Sequence, residues 1–187
     1  MNHYFKRQLA DYVEYHRNPW NGAMHVFGIV FLFLGAILPI SLWSFGAFGM
    51  RTTIVPVLVL PLLIYWFLLD AALGMGILGA AVILLSTAAF IVNHASIASV
   101  WAISAVLIVI GLGCQIVGHR VFEQRQPALV DNPSHFLLGP MFVMAKLFIA
   151  LGFRHDLAAI LASAPQPAPR NASSPAEEHQ VELLPRS

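Results

Sequence analysis

The sequence predicts an all-α, polytopic membrane protein with about four transmembrane helices, and two observations lead to this class. Of its 187 residues, 58% are hydrophobic and only 10% are charged. A water-soluble domain carries about 25% charged residues, so this chain has too few to cover a water-facing surface. Four uncharged apolar runs of roughly 20 residues follow one another, and a helix of that length crosses a bilayer.

The segment before the first apolar run predicts a short amphipathic helix over residues 3–16. Its apolar face consists of four residues at the spacing of one helix side: Phe5, Leu9, Tyr12 and His16. Such a helix most simply lies along the membrane surface. Asn18-Pro19 should end it, because the residue before a proline is pushed out of the α region. Asn21-Gly22 adds a second turn signal.

The four apolar runs predict spans over residues 24–43, 52–69, 74–92 and 97–117. A short loop, residues 44–51, separates the first two spans. Pro56 and Pro61 should kink the second span, which neighbouring helices can tolerate. The turns between the remaining spans are expected near Leu73-Gly74 and Asn93-His94.

The basic residues predict the orientation of these spans. Those that flank the first and last spans are Lys6, Arg7, Arg17, Arg120 and Arg125. Only Arg51 lies in the loops of the other side. The positive-inside rule then places both termini in the cytoplasm. The membrane itself would be a bacterial inner membrane or that of the endoplasmic reticulum. The formal net charge of +1 argues against a nucleic-acid partner, which requires a concentrated basic face.

The part after the last span is expected to contain helical and disordered segments. The fourth helix should continue through His119 to about Gln124, and another should begin after residues 131–133. The apolar run 136–153 contains Lys146, which is costly at mid-bilayer. We therefore expect an interfacial or re-entrant helix, with a fifth span as the weaker alternative. Residues 1–160 are expected to form a single membrane domain, and the Pro-, Ala-, Ser- and Glu-rich residues 161–187 a disordered tail.

On this topology, several ionisable residues share the cytoplasmic face: His16, His25, Asp70, His119, Glu123 and His135. His94 lies at the other face, roughly 30 Å away. Ionisable groups next to lipid are expensive and usually serve a site. Imidazoles with a carboxylate and open positions suit non-haem iron(II), which activates dioxygen, and zinc fits the same ligand types. The spacing leaves both metals open.

Each member of this cluster also has a structural explanation. His135 could be a metal ligand or a helix-start residue, and Asp70 could mark the end of the second span. Glu123 could pair with Arg120 or Arg17. A non-enzymatic membrane scaffold, with these groups as packing and turn residues, therefore stays open.

Three stretches carry motifs in a fixed order. The first is Tyr15-His16-Arg17-Asn18-Pro19 followed by Asn21, His25 and Gly28-Ile29; the second has Gln115, Gly118-His119 and Phe122-Glu123; the third has Asp131-Asn132, Gly139-Pro140 and Phe142-Val143. Together they resemble the iron(II)-dependent 2-hydroxy fatty acid dioxygenase family of phytosphingosine breakdown, long catalogued as a domain of unknown function. The resemblance covers residues 12 to about 150.

The resemblance implies a membrane enzyme of fatty acid α-oxidation, which uses O2 to convert a 2-hydroxy fatty acid into an acid one carbon shorter. It also implies that His16, His25 and His119 bind Fe²⁺. Glu123 is then expected to be a fourth ligand or an acceptor that orients an imidazole. Arg17 or Arg120 could clamp the substrate carboxylate, and the acyl chain would lie among the spans. A metal-dependent lipid hydrolase that uses a metal-bound water is the enzymatic alternative.

Overall fold

The computed structural model describes residues 2–14, 16, 18–47, 50–124 and 135–162. The elements along this part of the chain are α1 (His3–Glu14), α2 (Pro19–Ser41), β1 (Ser44–Ala47), β2 (Met50–Thr53), α3 (Val55–Leu69), α4 (Ala71–His94), α5 (Ile97–Val117), a π-helical turn (Gly118–Glu123), α6 (His135–Ala150) and α7 (His155–Ala162). The predicted all-α class is confirmed. The loop expected at residues 44–51 instead contributes to a small antiparallel hairpin in which Ser44 pairs with Thr53.

Three described helices are long and apolar enough to cross a membrane: α2, α4, and α5 with its π-helical turn. The α6–α7 pair, bent by 118°, would be a fourth if it counts as one broken span. Helix α3 has 15 residues, about 22 Å, which is short of a hydrocarbon core of about 30 Å. It is shorter than the predicted span because residues 52 and 53 belong to β2. Pro56 lies in its first turn, where proline favours helix initiation instead of a kink.

Two apolar clusters mark the two ends of the helix bundle. The first joins α1, the C-terminal end of α3 and α6, and includes Phe5, Leu9, Leu69, Leu138 and Phe142. The second joins the far halves of α2, α4 and α5 to the start of α3: Ile37, Leu38, Val55, Ala88 and Val100. The chain therefore passes between the ends four times, through α2, α3, α4 and α5. His94, at the C-terminus of α4, belongs to the second end.

Small residues bring α2 and α5 into close contact. A β-carbon placed on Gly111 of α5 would lie 3.0 Å from the Gly28 carbonyl oxygen and 2.7 Å from Leu32 Cγ of α2. About two turns further, Ser104 Oγ donates a 2.6 Å hydrogen bond to the Gly35 carbonyl. Such small-residue contacts let membrane helices approach closely. The close α2–α5 contact therefore sets how far apart the side chains of these two helices lie at the first end of the bundle.

The start of α2 differs from the prediction. It begins at Pro19, several residues before position 24, and the Asn18 side chain accepts a 2.9 Å bond from the Trp20 amide. A capping asparagine followed by proline at the first helical position favours a helix start. The second turn expected at Asn21-Gly22 was therefore wrong, because both residues lie in the first turns of α2.

An ion-pair network holds the bend between α6 and α7. Arg154, in the left-handed region at φ 57°, donates to both Asp70 carboxylate oxygens at 2.8 and 3.1 Å and also to Asp156. Asp70 caps α4 by accepting from the Leu73 amide at 3.0 Å. Burial opposes the charge of Asp70, but these hydrogen bonds outweigh it and hold its pKa below the usual range. The bend is compatible both with the interfacial or re-entrant helix expected here and with a broken span, so this choice stays a prediction.

Candidate metal centre

Three buried histidines meet at the first end of the bundle. His16 lies between α1 and α2, His25 lies in the second turn of α2, and His119 lies in the π-helical turn. Each is only 3% exposed. Each offers one ring nitrogen to a group whose members all lie within 4.8 Å of one another. The structure thus brings together the three histidines that were expected to share a site.

Backbone carbonyls determine which nitrogens face the centre of this group. The Nδ1 atom of His16 lies 2.8 Å from the Tyr12 carbonyl oxygen, and that of His25 lies 3.1 Å from the Asn21 carbonyl oxygen. A carbonyl only accepts, so both Nδ1 atoms must carry the proton. In the neutral rings both Nε2 atoms are then acceptors, and they face each other at 3.0 Å. Two lone pairs at this distance repel unless a cation lies between them.

A proton is a poor candidate for that cation. Burial first, and then the neighbouring His25, lower the pKa of His16 to about 2, so this ring is neutral near pH 7. His119 adds a third nitrogen, since its Nδ1 is buried and has no hydrogen-bond partner in the part of the chain that is described. Buried polar atoms are rarely left unpaired. Three imidazoles with converging nitrogens fit a divalent transition metal.

The π-helical turn places His119 against α2. A β-carbon on Gly118 would overlap the Asn21 side chain, so glycine allows this turn to approach α2. The turn ends at Gln124, which has φ 53° and whose amide bonds to the His119 carbonyl. Single π-helical turns within α-helices often occur at functional sites. The expected helical continuation to about Gln124 is confirmed, although its geometry is not that of an α-helix.

The π geometry changes the position of Glu123. In a regular α-helix Glu123, four residues after His119, would share one face with it. Its Oε2 instead accepts from the Asn18 backbone amide at 3.0 Å and from Asn21 Nδ2 at 3.1 Å. The carboxylate therefore contacts the first turn of α2. Asn21 connects it to His25, because the Asn21 side chain donates to Glu123 while the Asn21 carbonyl holds the His25 ring. Glu123 is not a member of the close nitrogen group found among the described residues.

The other predicted site residues lie elsewhere or outside the described part. Arg120 is exposed, and Asp70 pairs with Arg154 instead of joining the histidines. Arg17 and the side chain of His135 fall outside the described residues. The carboxylate clamp expected from Arg17 or Arg120 stays a prediction, and so does the tail, of which only residues 161 and 162 are described, at the end of α7.

Sequence reasoning missed two residues beside the histidines. The Tyr12 ring stacks on His16 with centroids 4.1 Å apart and planes within 5°. The sequence pattern places Tyr12 only on the apolar face of the N-terminal helix and does not predict this contact. The ammonium of Lys146 lies 4.7 Å from the centre of the Phe142 ring, and a β-carbon on Gly22 would overlap it. No local pattern around Lys146 indicated that it packs on the N-terminal turns of α2.

A largely apolar cavity of about 350 Å³ opens from the histidines into the bundle. Its remaining lining is Tyr12, Ile29, Leu32, Phe33, Ala36, Leu112, Gln115, Ile116, Phe136, Gly139 and Pro140. Leu112 and Ile116 of α5 and Phe136 of α6 are 49%, 56% and 60% exposed, so the mouth lies between these helices. The α2 wall from His25 to Ala36 is about 16 Å long. An apolar chain with a polar head group would fit this shape, with its head at the imidazoles.

Comparisons with known proteins agree with the motifs. A family model described as 2-hydroxy-palmitic acid dioxygenase Mpo1-like matches residues 2–151. The chain is 32% identical over 158 residues to the 2-hydroxy-palmitic acid dioxygenase MPO1 of Saccharomyces cerevisiae. This aligned region covers 83% of this chain and 86% of the yeast protein. No solved structure matches the chain.

Proposed function

Because the chain belongs to the Mpo1-like family, we propose that it is a membrane dioxygenase of fatty acid α-oxidation. Its substrates are a 2-hydroxy fatty acid and O2, and its product is a fatty acid one carbon shorter. The reaction balances as R–CH(OH)–COOH + O2 → R–COOH + CO2 + H2O. The carboxyl carbon leaves as CO2, the carbon that bore the hydroxyl becomes the new carboxyl, and O2 accepts four electrons without another reductant.

We propose that His16, His25 and His119 hold iron(II). The observation that carries this assignment is the pair of Nε2 acceptors 3.0 Å apart, both with Nδ1 fixed on a carbonyl. Zinc would accept the same donors but has no redox chemistry. Iron(II) with open coordination positions would supply the activation of O2 that a dioxygenase requires.

The residues around the histidines have two further roles in this proposal. The Tyr12 and Asn21 carbonyls hold the imidazoles in one tautomer, and Glu123 acts as a positioning residue because it fixes Asn21. Outer partners of this kind commonly affect metal affinity by about 10–100-fold. The apolar cavity takes the acyl chain and excludes water from it. Its mouth between α5 and α6 lets a lipid substrate enter sideways from the membrane.

The test is anaerobic loading of purified protein with iron(II), addition of 2-hydroxypalmitate, and exposure to ¹⁸O2. We expect pentadecanoic acid that carries the label, detected by mass spectrometry, and no product under argon. Protein loaded with zinc serves as the control and should be inactive. Equal product with zinc, or without O2, would contradict an oxygenase. Protein that binds a metal but makes no shortened acid would favour the metal-dependent lipid hydrolase. Protein that binds no metal and converts nothing would favour the scaffold.

A further inference from the structure

A second apolar cavity lies directly behind the first. It has a volume of about 110 Å³ and occupies the space between α2, α3, α4 and α6. Three residues line both cavities: Ile29, Phe33 and Pro140. The remaining wall of the second cavity is hydrocarbon with one indole and one thioether, so it offers no group for a polar ligand. These three shared residues form the boundary between the two cavities.

Phe33 is the largest part of this boundary, and its ring is held from behind. It packs against Trp66 with ring centroids 6.5 Å apart in an edge-to-face arrangement. The Trp66 indole in turn donates a 2.8 Å hydrogen bond to the Leu137 carbonyl of α6. Since Trp66 is anchored to a backbone and only 3% exposed, it limits the movement of Phe33 towards the second cavity.

The position of Phe33 along α2 relates it to the imidazoles. It lies eight residues after His25, or about 12 Å along the helix axis. The first cavity follows this same wall from the histidines as far as Ala36. An acyl chain with its head group at the imidazoles would therefore pass the Phe33 ring near its apolar end.

We propose that Phe33 is a specificity-determining residue that limits the length of the acyl chain by closing the first cavity from the second. The inference rests on the proposed function, because that function supplies the acyl substrate. When the ring is removed, the two cavities become one, and a longer chain gains apolar contact instead of meeting the aromatic wall. Each methylene that becomes buried should contribute about fourfold in affinity.

The experiment compares wild type with Phe33→Ala on saturated 2-hydroxy acids from dodecanoic to tetracosanoic acid, in steps of two methylenes. Two readouts are used: kcat/KM for the shortened acid, and the Kd of each acid on iron-loaded protein under argon. For the first acid beyond the wild-type optimum, we expect Phe33→Ala to raise relative kcat/KM and affinity by about 16-fold, since two methylenes are accommodated. The matched control is Phe27→Ala, because Phe27 is on the same helix, 59% exposed and outside both cavities.

Two further variants make the result decisive. Phe33→Leu removes less volume and should shift the preference in the same direction if the alanine variant fails to fold. Ala80→Phe, which fills the second cavity from α4, should restore the wild-type preference when combined with Phe33→Ala. An unchanged length preference in both Phe33 variants would overturn the inference, and so would failure of Ala80→Phe to restore it. If wild type makes no shortened acid, the proposed function fails, while the Kd series still tests the boundary.

Discussion

At the scale of single residues, the metal centre depends on hydrogen bonds that orient two imidazoles. Nδ1 of His16 and of His25 each donates to the carbonyl four residues earlier in the chain. This local geometry turns both Nε2 lone pairs towards the space that His119 also borders. Each of these three rings should therefore be required, whereas histidines elsewhere should not be.

We expect His16→Ala, His25→Ala and His119→Ala each to abolish iron binding and activity. Iron(II) is low in the divalent affinity series, so a site that loses one of three imidazoles would not hold it against water. The measurement is metal content after dialysis, together with product formation. His94→Ala is the control, because His94 is exposed and its Nδ1 bonds to the Phe90 carbonyl at the other end of the bundle. Equal losses in His94→Ala and His119→Ala, or full activity without the His25 imidazole, would contradict the site.

Glu123→Gln should be milder than the histidine changes. The carboxylate holds Asn18 and Asn21 and has a role through them, so we expect iron affinity to fall by about 10–100-fold. The measurement is a metal titration with a competing chelator, along with the melting temperature of the variant. A loss as complete as that of His119→Ala would mean that Glu123 binds the metal directly.

At the scale of the elements, the α2–α5 contact determines how close His25 and His119 can be. The helices approach through Gly28, Gly35 and Gly111, where added β-carbons would meet the neighbouring backbone or fixed side chains. Backbone atoms cannot rotate away, so a larger residue at these positions must separate the helices. The spacing of the histidine nitrogens then depends on these three glycines, of which Gly35 and Gly111 lie more than two turns along the chain from the nearest histidine.

Gly111→Ala should lower the free energy of unfolding by about 1–3 kcal/mol, as overpacking does in other cores, and should weaken iron binding. Denaturant titration in mixed micelles and the metal titration measure the two effects. The control is Gly113→Ala, two residues later on the same helix, where nothing lies within 4 Å of the added β-carbon. This variant should lower neither the free energy of unfolding nor the iron affinity. If both alanine variants behave alike, close contact of α2 and α5 is not what positions the site.

At the scale of the whole molecule, the Asp70–Arg154 pair joins the α3–α4 junction to the bend between α6 and α7. The Asp70 side chain is 3% exposed and that of Arg154 is 19% exposed. The pKa of Asp70 is lower in the folded than in the unfolded protein, so its ionisation stabilises the fold. This contribution is fully present above the unfolded value of about 3.9 and is lost as the pH falls through the folded pKa.

We therefore expect Asp70→Asn to be less stable than wild type at neutral pH, by an amount that stays constant down to about pH 5. Below about pH 4 the difference should narrow, because the wild-type carboxyl becomes protonated as well. Melting temperatures across this range measure the difference. A gap that widens in acid would contradict the sign of the pKa shift.

The orientation in the membrane stays a prediction, supported by the four passes of the described chain between the ends of the bundle. In a background where Cys114 is replaced by alanine, cysteines at positions 3 and 94 should be labelled from opposite sides of sealed vesicles. Position 3 should be cytoplasmic, since the basic residues flank that end. Labelling of both positions from one side would overturn the orientation and the placement of His94 away from the site.

Much of this protein was predictable from the sequence, because apolar length and helical periodicity are local properties. They identified the class, the order of the helices and the ends at which His16, His25 and His119 lie. The motifs identified the family before any geometry was known. The start of α2 and the short α3 were misjudged, since capping and strand pairing at helix ends compete closely with the helical pattern.

The tertiary structure alone decided which of these residues meet. The predicted topology placed Glu123 and Asp70 at the same membrane face as the histidines. The π-helical turn instead directs Glu123 to Asn21, and Arg154 pairs with Asp70 from 84 residues away. The second cavity behind Phe33 likewise arises from four helices that no single stretch describes. The physical reason is that contacts between distant segments depend on how closely helices pack. Small residues, helix ends and bends set that packing together.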